Sequence, residues 1–228
     1  MQCVIICAGK GTRMRPLTEH TPKPLLTVCG KPLLQHVVEA LPEEIDELIL
    51  VVGYLQEQIR ELCDDEYLGK RVRYVKQENY SGGTGDALMC AKDSVKGRFM
   101  CMYADDIHGA PALADAATHE YAILGTHSDT PEHFGVLSHN EDGTLCAIDE
   151  KPKNPTSTIV NIGGFVLDEK IFTYEVAKNE EHDELFLTDM ITAFAKEFPV
   201  TIVPQDLWIP VGKPEDIQKA EMQLCLEK

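Results

Sequence analysis

Short runs of consecutive apolar residues alternate, through the first half of the chain, with stretches in which apolar residues recur at helical spacing. Residues 2–7 are an apolar run, which predicts a buried strand, and a glycine-containing loop follows. A helix pattern covers 32–41, with Pro32 in the first turn, where its missing N–H is not needed. The run LILVV at 48–52 predicts a second buried strand, and Leu55, Ile59, Leu62 and Cys63 mark one face of a helix over 55–63. A strand at 72–75, a helix at 85–91 and a buried strand at 99–103 complete this half, the last ending at Asp105 and Asp106. Apolar runs joined through helices predict an α/β fold with a mainly parallel sheet and helices on both faces. Ligands of such sheets sit beyond the carboxyl ends of the strands. The loops after Cys7, Gln77 and Tyr103 all leave such ends and are expected to converge.

The second half reads differently. Strands are predicted at 121–126, 134–138, 145–148 and 157–166, with Asn140-Glu141-Asp142-Gly143 as a hairpin turn. Helices are predicted at 169–178, at 187–198 with Thr188 as its cap, and at 214–226. No repeat, low-complexity segment or linker interrupts the pattern. One domain over 1–228 is expected, with lobes at 1–107 and 108–228 and a seam near residue 108. Ile217, Met222 and Cys225 give the last helix an apolar strip that suits the core or a homo-oligomer interface.

Charge changes this picture. The chain carries 38 acidic and 21 basic side chains, a net charge of −17. Residues 1–31 run the other way, with Lys10, Arg13, Arg15, Lys23 and Lys31 against Glu19 alone. An acidic body argues against nucleic acid or an anionic membrane as partner, since both need clustered Lys and Arg. A small cationic segment on that body suggests a local anion site. No apolar run approaches the length of a spanning helix, and the amino terminus lacks the basic and small-residue regions of a signal peptide. The 8 cysteines form no C-x-x-C pair and mostly sit in apolar runs. Buried free thiols in a cytoplasmic protein are expected. The histidines show no metal-binding spacing.

The loop Ala8-Gly9-Lys10-Gly11-Thr12-Arg13 follows the first strand. Glycines let backbone N–H groups approach phosphate oxygens, and an arginine can clamp them in bidentate fashion. The order of residues fits neither the G-x-x-x-x-G-K-[ST] loop nor a dinucleotide fingerprint, whose third glycine position holds Met14. The continuation is longer: Gly9-x-Gly11-Thr12-Arg13-Met14-x-Pro16-Leu17-Thr18, then Thr21-Pro22-Lys23-Pro24-Leu25, then Gly30-Lys31-Pro32-Leu33. It resembles the signature of the sugar-phosphate nucleotidylyltransferases, which make nucleotide sugars from a nucleoside triphosphate and a sugar 1-phosphate. Gln77-x5-Gly83-Thr84-Gly85-Asp86-Ala87-Leu88 resembles that family's base-reading loop. Glu150-Lys151-Pro152, Val160-Asn161-Ile162-Gly163-Gly164-Phe165 and Glu184-Leu185-Phe186-Leu187-Thr188-Asp189 resemble its sugar-lobe segments. Trp208-Ile209-Pro210-Val211-Gly212-Lys213-Pro214-Glu215-Asp216 resembles its closing W-x-D-V-G-x-P-E-D. The resemblance spans nearly all of the chain and leaves no room within it for an appended acyltransferase or β-helix.

The resemblance implies a Rossmann-like three-layer α/β/α fold, GT-A-like, with a mixed but mainly parallel sheet and a sugar-binding lobe in the second half. It implies in-line attack of a sugar phosphate on the α-phosphorus of a pyrimidine triphosphate, UTP or dTTP, with glucose 1-phosphate as the expected acceptor. Guanylyl transfer to mannose 1-phosphate and a non-catalytic nucleotide-sugar sensor are the alternatives. Arg13 would face the departing pyrophosphate, and Lys23 would hold the α-phosphate and the attacking phosphate. Lys10 and Arg15 would flank the site. Ala8, Gly9, Gly11, Thr12, Gln77, Gly83 and Thr84 would bind nucleotide, Gln77 pairing both its donor and its acceptor with O4 and N3–H of the base. Gly135, Glu150, Lys151, Asn161 and Glu184 would bind the sugar phosphate. Mg²⁺ is the implied cofactor, with Asp105 as ligand and Asp106 as the alternative. The family's second metal ligand falls at Pro210, which has no ligating side chain; Asp206, or Asp105 with Asp106, could stand in. Trp208 is expected in the core or at the seam.

Overall fold

The computed structural model describes residues 1–174, 176–178, 183–205 and 207–225, the last without its side chain. The amino-terminal apolar run forms β1 (Gln2–Ile6), and a small antiparallel ribbon, β2 (Thr27–Val28) and β3 (Lys31–Pro32), precedes α1 (Leu33–Ala40). Then come β4 (Glu47–Val52), α2 (Gln56–Cys63), β5 (Glu66–Tyr67), β6 (Lys70–Lys76), α3 (Thr84–Cys90) and β7 (Arg98–Tyr103). The second half contributes β8 (Asp106–His108), α4 (Ala110–Thr118), β9 (Ala122–His127), β10 (Gly135–His139), β11 (Leu145–Glu150) and β12 (Ile159–Asp168). It closes with α5 (Leu187–Ala195), β13 (Thr201–Pro204), β14 (Trp208–Pro210) and α6 (Pro214–Cys225).

Ten strands from both halves share one sheet, in the order β11-β10-β12-β7-β1-β4-β6-β5, with β9 on β12 and β13 on β9. The centre, β7-β1-β4-β6, is parallel, and β12 joins β7 antiparallel. This is the three-layer α/β/α arrangement with a mixed, mainly parallel sheet. Strand alternation sorts the core into its two faces. Cys3, Ile5, Leu48, Leu50 and Met102 point to α1, α2 and α4. Val4, Ile49, Val51, Phe99 and Cys101 point to α3 and α5. Each such side chain, fully buried, contributes about 1.5–3 kcal/mol over exposure. Strands covered on both faces must therefore be apolar at every position, which is why they stood out as runs. Among the described residues no helix is long and apolar enough to cross a membrane.

Several expectations need correction. Pro32 lies in β3 and caps α1 rather than opening it. The helix expected over 169–178 is a short 3₁₀ segment, Glu169–Thr173, started by Asp168 Oδ1 accepting from the Lys170 N–H at 2.9 Å. α5 stops at Ala195, and Thr188 is inside it and buried, its hydroxyl without a partner among the described residues. The cap comes from another helix: the Leu187 N–H donates to Thr84 Oγ1 at 3.1 Å. The alanine-rich segment of α4 carries too few large apolar residues to show a helical stripe, yet its small residues pack tightly under the sheet. On α6, Ile217 packs against a third cluster that includes Met14, Leu33 and Ile209, while Met222 is 58% exposed. Cys3, Cys7, Cys63 and Cys101 are buried free thiols, but Cys146 is exposed and Cys29 is disulfide-bonded. That bond removes one support for the expectation of a reducing compartment.

His108 is buried, with neither ring nitrogen hydrogen-bonded among the described residues. Burial drives its pKa down to about 4. The unfolded chain takes up this proton near pH 6.5, whereas the folded chain refuses it until about pH 4. Stability therefore falls as pH drops through that window, by up to about 3 kcal/mol. Urea unfolding at pH 7 and at pH 4.5 measures this. His108→Phe is expected to lose less stability between the two pH values than the wild type.

Candidate active site

The parallel β1–β7 pairing sets Ile6 beside Tyr103, so the loops that follow both strands leave the same edge together. Gly11 turns the first loop with a left-handed φ of 59°, ahead of the 3₁₀ turn Thr12–Met14. Its carbonyl accepts from Thr18 Oγ1 at 2.8 Å, and a Cβ here would lie 3.1 Å from both Lys23 Cβ and Thr18 Cγ2. Only glycine meets both demands without strain. Lys23 stands between two prolines at the start of a 3₁₀ turn, Lys23–Leu25, and is 8% exposed. Its ammonium pairs with Asp105 Oδ2 at 2.7 Å. This ion pair ties the cationic segment to the end of β7.

The two acidic residues after β7 face different tasks. Asp105 Oδ1 is buried and has no partner among the described residues. Asp106 is engaged by β14: Trp208 Nε1–H donates to Oδ2 at 2.9 Å and the Val211 N–H to Oδ1 at 3.2 Å. Burial, and then the neighbouring Asp105, push the Asp106 carboxyl up to about 7. Trp208 is thus a seam residue, packed edge-on to Phe134 at 5.2 Å.

A cleft of about 470 Å³ opens here, between the two halves of the chain. Gly9, Gly11, Thr12, Arg13, Lys23 and Asp105 form one side, and Thr84 lies on its lining. Gly135, Glu150, Lys151 and Asn161 line the other, together with His133. Burial raises the Glu150 carboxyl's pKa, opposed by Lys151. Gly135 leaves room for that carboxyl, since a Cβ would sit 3.0 Å from Glu150 Oε2. Asn161 Oδ1 accepts from the Gly163 N–H at 3.0 Å, at a bulge in β12. Gly163, with φ 81°, lies against the Tyr103 ring, which a Cβ there would overlap. Tyr103, absent from the expected set, also lines the cleft. Burial raises its phenol's pKa, and the neighbouring Thr84 hydroxyl acts the other way. Pro210 lines the cleft as well, paired with Asp106 across the β8–β14 ribbon.

Ala8, Gln77, Gly83 and Glu184 are not on this lining. Ala8 is buried, its carbonyl accepting from the Tyr54 N–H at 3.0 Å. Gln77 is buried, and Nε2 donates to Asp86 Oδ2 at 2.7 Å and to the Gly83 carbonyl at 3.2 Å. Gly83 starts α3, and Glu184 lies against it. The segment carrying Glu184 is stitched to the Gly82–Gly85 loop: Leu185 N–H donates to Gly82 O and Gly85 N–H to Leu185 O, both at 2.8 Å. Lys10 sits off the cleft, 5.2 Å above the Tyr80 ring. Asp206 lies outside the described residues.

The family model for nucleotidyl transferases matches residues 2–227. The chain belongs to the nucleotidyl transferase family. Within that family it is 36% identical to the bifunctional protein GlmU of Methanocaldococcus jannaschii, over 98% of this chain and 54% of that protein. The chain therefore spans about half the length of the GlmU relatives it matches. It is 32% identical to the UTP–glucose-1-phosphate uridylyltransferase AglF of Haloferax volcanii, over 98% of this chain and 96% of the relative. A solved structure from Bacillus anthracis, assigned as a glucose-1-phosphate thymidylyltransferase and bound to sucrose, superposes with a TM-score of 0.86 at 26% identity. That match covers 98% of this chain and 94% of the other. A UDP-glucose pyrophosphorylase complexed with UDP-glucose shares the fold at a TM-score of 0.86 and 20% identity.

Nucleotidyl transfer in this family raises the question of a divalent cation. Among the described residues no three His, Cys, Asp or Glu side chains converge as a metal cage. The residues present still fit one arrangement. Asp105 offers a buried oxygen with no partner, and Mg²⁺ accepts a single carboxylate when phosphate oxygens and water complete its shell. Each Asp106 oxygen already accepts one hydrogen bond, from Trp208 or from the Val211 amide, so a cation there would have to share an oxygen that Asp105 Oδ1 offers free.

Gly11→Ala puts a Cβ against Lys23 and imposes a left-handed φ on alanine. A loss of about 1–2 kcal/mol is expected, a fall of roughly 2–8 °C in melting temperature by calorimetry.

Proposed function

We propose that the chain transfers a nucleotidyl group from a pyrimidine nucleoside triphosphate, UTP or dTTP, to a hexose 1-phosphate, with glucose 1-phosphate as the expected acceptor. The observation that carries this reading is the cleft itself. Arg13, Lys23 and the Gly9–Gly11 turn stand on one wall, and Lys151, Glu150 and Asn161 on the other. Two polyanions meeting in one acidic protein need such charges, and the walls supply them separately.

The chemistry asks for alignment and charge neutralisation more than for covalent work. The loop of Gly9 and Gly11 cradles phosphate oxygens. Arg13 takes the side from which pyrophosphate leaves. Lys23 exchanges part of its pairing with Asp105 for the α-phosphate and the incoming sugar phosphate, with little entropy to lose because its backbone is already fixed by two prolines. Lys151 holds the sugar phosphate, and Glu150 and Asn161 read hydroxyls. Mg²⁺ held by Asp105 would offset the negative charge of the triphosphate. In this reading the chain acts as one domain of two lobes, and Gln77, Gly83 and Glu184 back the lining where the base loop meets the sugar lobe.

Pro210 supports a second reading, a nucleotide-sugar-binding relative without turnover, because it occupies the position of the missing carboxylate. Pyrophosphate release with Mg²⁺, over a panel of triphosphates and hexose 1-phosphates, separates the two. Turnover with UTP or dTTP and a hexose 1-phosphate is expected. Tight nucleotide-sugar binding with no turnover for any pair would favour the sensor. Pro210→Asp is expected to lower the half-saturating Mg²⁺ concentration roughly tenfold by adding a hard oxygen ligand; an unchanged Mg²⁺ titration would mean that position 210 does not reach the cation.

A further inference from the structure

The Gln77 side chain has one hydrogen-bonding group left to offer. A primary amide carries two N–H bonds, and here both are spent, on Asp86 Oδ2 at 2.7 Å and on the Gly83 carbonyl at 3.2 Å. Its Oε1 has no partner among the described residues and is not one of their sealed, unpartnered atoms. The opposite amide orientation would aim Oε1 at a carboxylate and a carbonyl, acceptor against acceptor, so the orientation follows from chemistry and not from convention. Gln77 is 2% exposed, and turning the amide over would break both bonds where water cannot replace them.

Asp86 is placed for this contact. It stands in the first turn of α3, where an acid ordinarily serves the helix terminus, yet its Oδ2 reaches back to Gln77. Gly82 makes the room, since a Cβ there would lie 2.6 Å from Asp86 Oδ2. Gly82 does not have a left-handed φ, so close approach rather than backbone conformation accounts for the glycine.

We propose that Asp86 is a positioning residue for base selection, locking Gln77 as an acceptor only. The site then favours a pyrimidine that presents N3–H, uracil or thymine, over cytosine, whose N3 presents a lone pair. This replaces the expectation that Gln77 pairs through both donor and acceptor; the O4 oxygen of the base is left to a donor other than Gln77. The inference rests on the reading of the cleft as a nucleotide site.

The test compares UTP, dTTP and CTP as substrates for the wild type, Asp86→Asn, Asp86→Ala and Gly82→Ala. The wild type is expected to prefer UTP or dTTP to CTP. In Asp86→Asn the new amide accepts either orientation and only the 3.2 Å bond to the Gly83 carbonyl still favours the original one, so the preference in kcat/KM is expected to fall about tenfold. Gly82→Ala displaces the carboxylate without removing it and is expected to act in the same direction. In a Gln77→Ala background, Asp86→Asn is expected to change the ratio no further. KM for the sugar phosphate should stay within about twofold, which a merely structural defect would not respect. An unchanged base preference in folded Asp86 variants overturns the proposal, as does a wild type indifferent to uracil and cytosine. An equal loss for every base with a raised sugar-phosphate KM overturns it too. No turnover by the wild type with any pair would instead overturn the catalytic reading. Equilibrium binding of UDP against CDP then reads the same preference in the same variants.

Discussion

The parallel pairing of β1 with β7 is the constraint on which the site depends. It fixes Ile6 against Tyr103, and so it fixes where the glycine loop and the Asp105 turn leave the sheet. A slip of one residue would exchange the two faces of each strand and separate the loops. The pairing is held by side chains buried on both faces, Cys3 and Ile5 on one and Val4 on the other. The Lys23–Asp105 ion pair is built on that register. It joins residues 82 apart in the chain across the sheet edge. Its attraction is set against the cost of taking a largely buried ammonium out of water, so it is weak evidence for stability. Its value is placement, fixing the Lys23 ammonium on the cleft wall beside the turn that follows β7.

The second half supplies the opposite wall by another device. β12 runs antiparallel to β7, so its early residues, not its last, lie at the cleft. The bulge that follows Asn161 bends the strand there and lets Gly163 admit the Tyr103 ring. One sheet thus presents the ends of parallel strands and the beginning of an antiparallel strand to the same cleft. Charge follows the same division, with Arg13 and Lys23 from the first half and Lys151 from the second.

Much of this was legible in the sequence, for identifiable reasons. Doubly covered strands such as β4 and β7 must be apolar throughout, so they declared themselves. That the glycine loop, Lys23 and Asp105 meet in one cleft was legible because the family motif runs through all three. The helix α4 was not, because a stripe of alanines carries no hydrophobic contrast. The cap of α5 was not, because Thr84 comes from a helix 103 positions earlier than Leu187. Tyr103 looked like the last residue of a buried strand, and only Gly163 and Thr84, distant in sequence, reveal it as part of the cleft. The separate duties of Asp105 and Asp106 needed β14, which alternation along one strand could not supply.

The backbone stitching between Gly82–Gly85 and Leu185 has a consequence for how such a pocket can diversify. Two reciprocal hydrogen bonds hold the segments in fixed spacing, so one inserted or deleted residue within either would break both and shift the start of α3 against α5. Changes of length are confined to the chain outside these short stretches. Within them, variation is confined to exchange of side chains on an unaltered frame, a matter of chemistry and not of loop size.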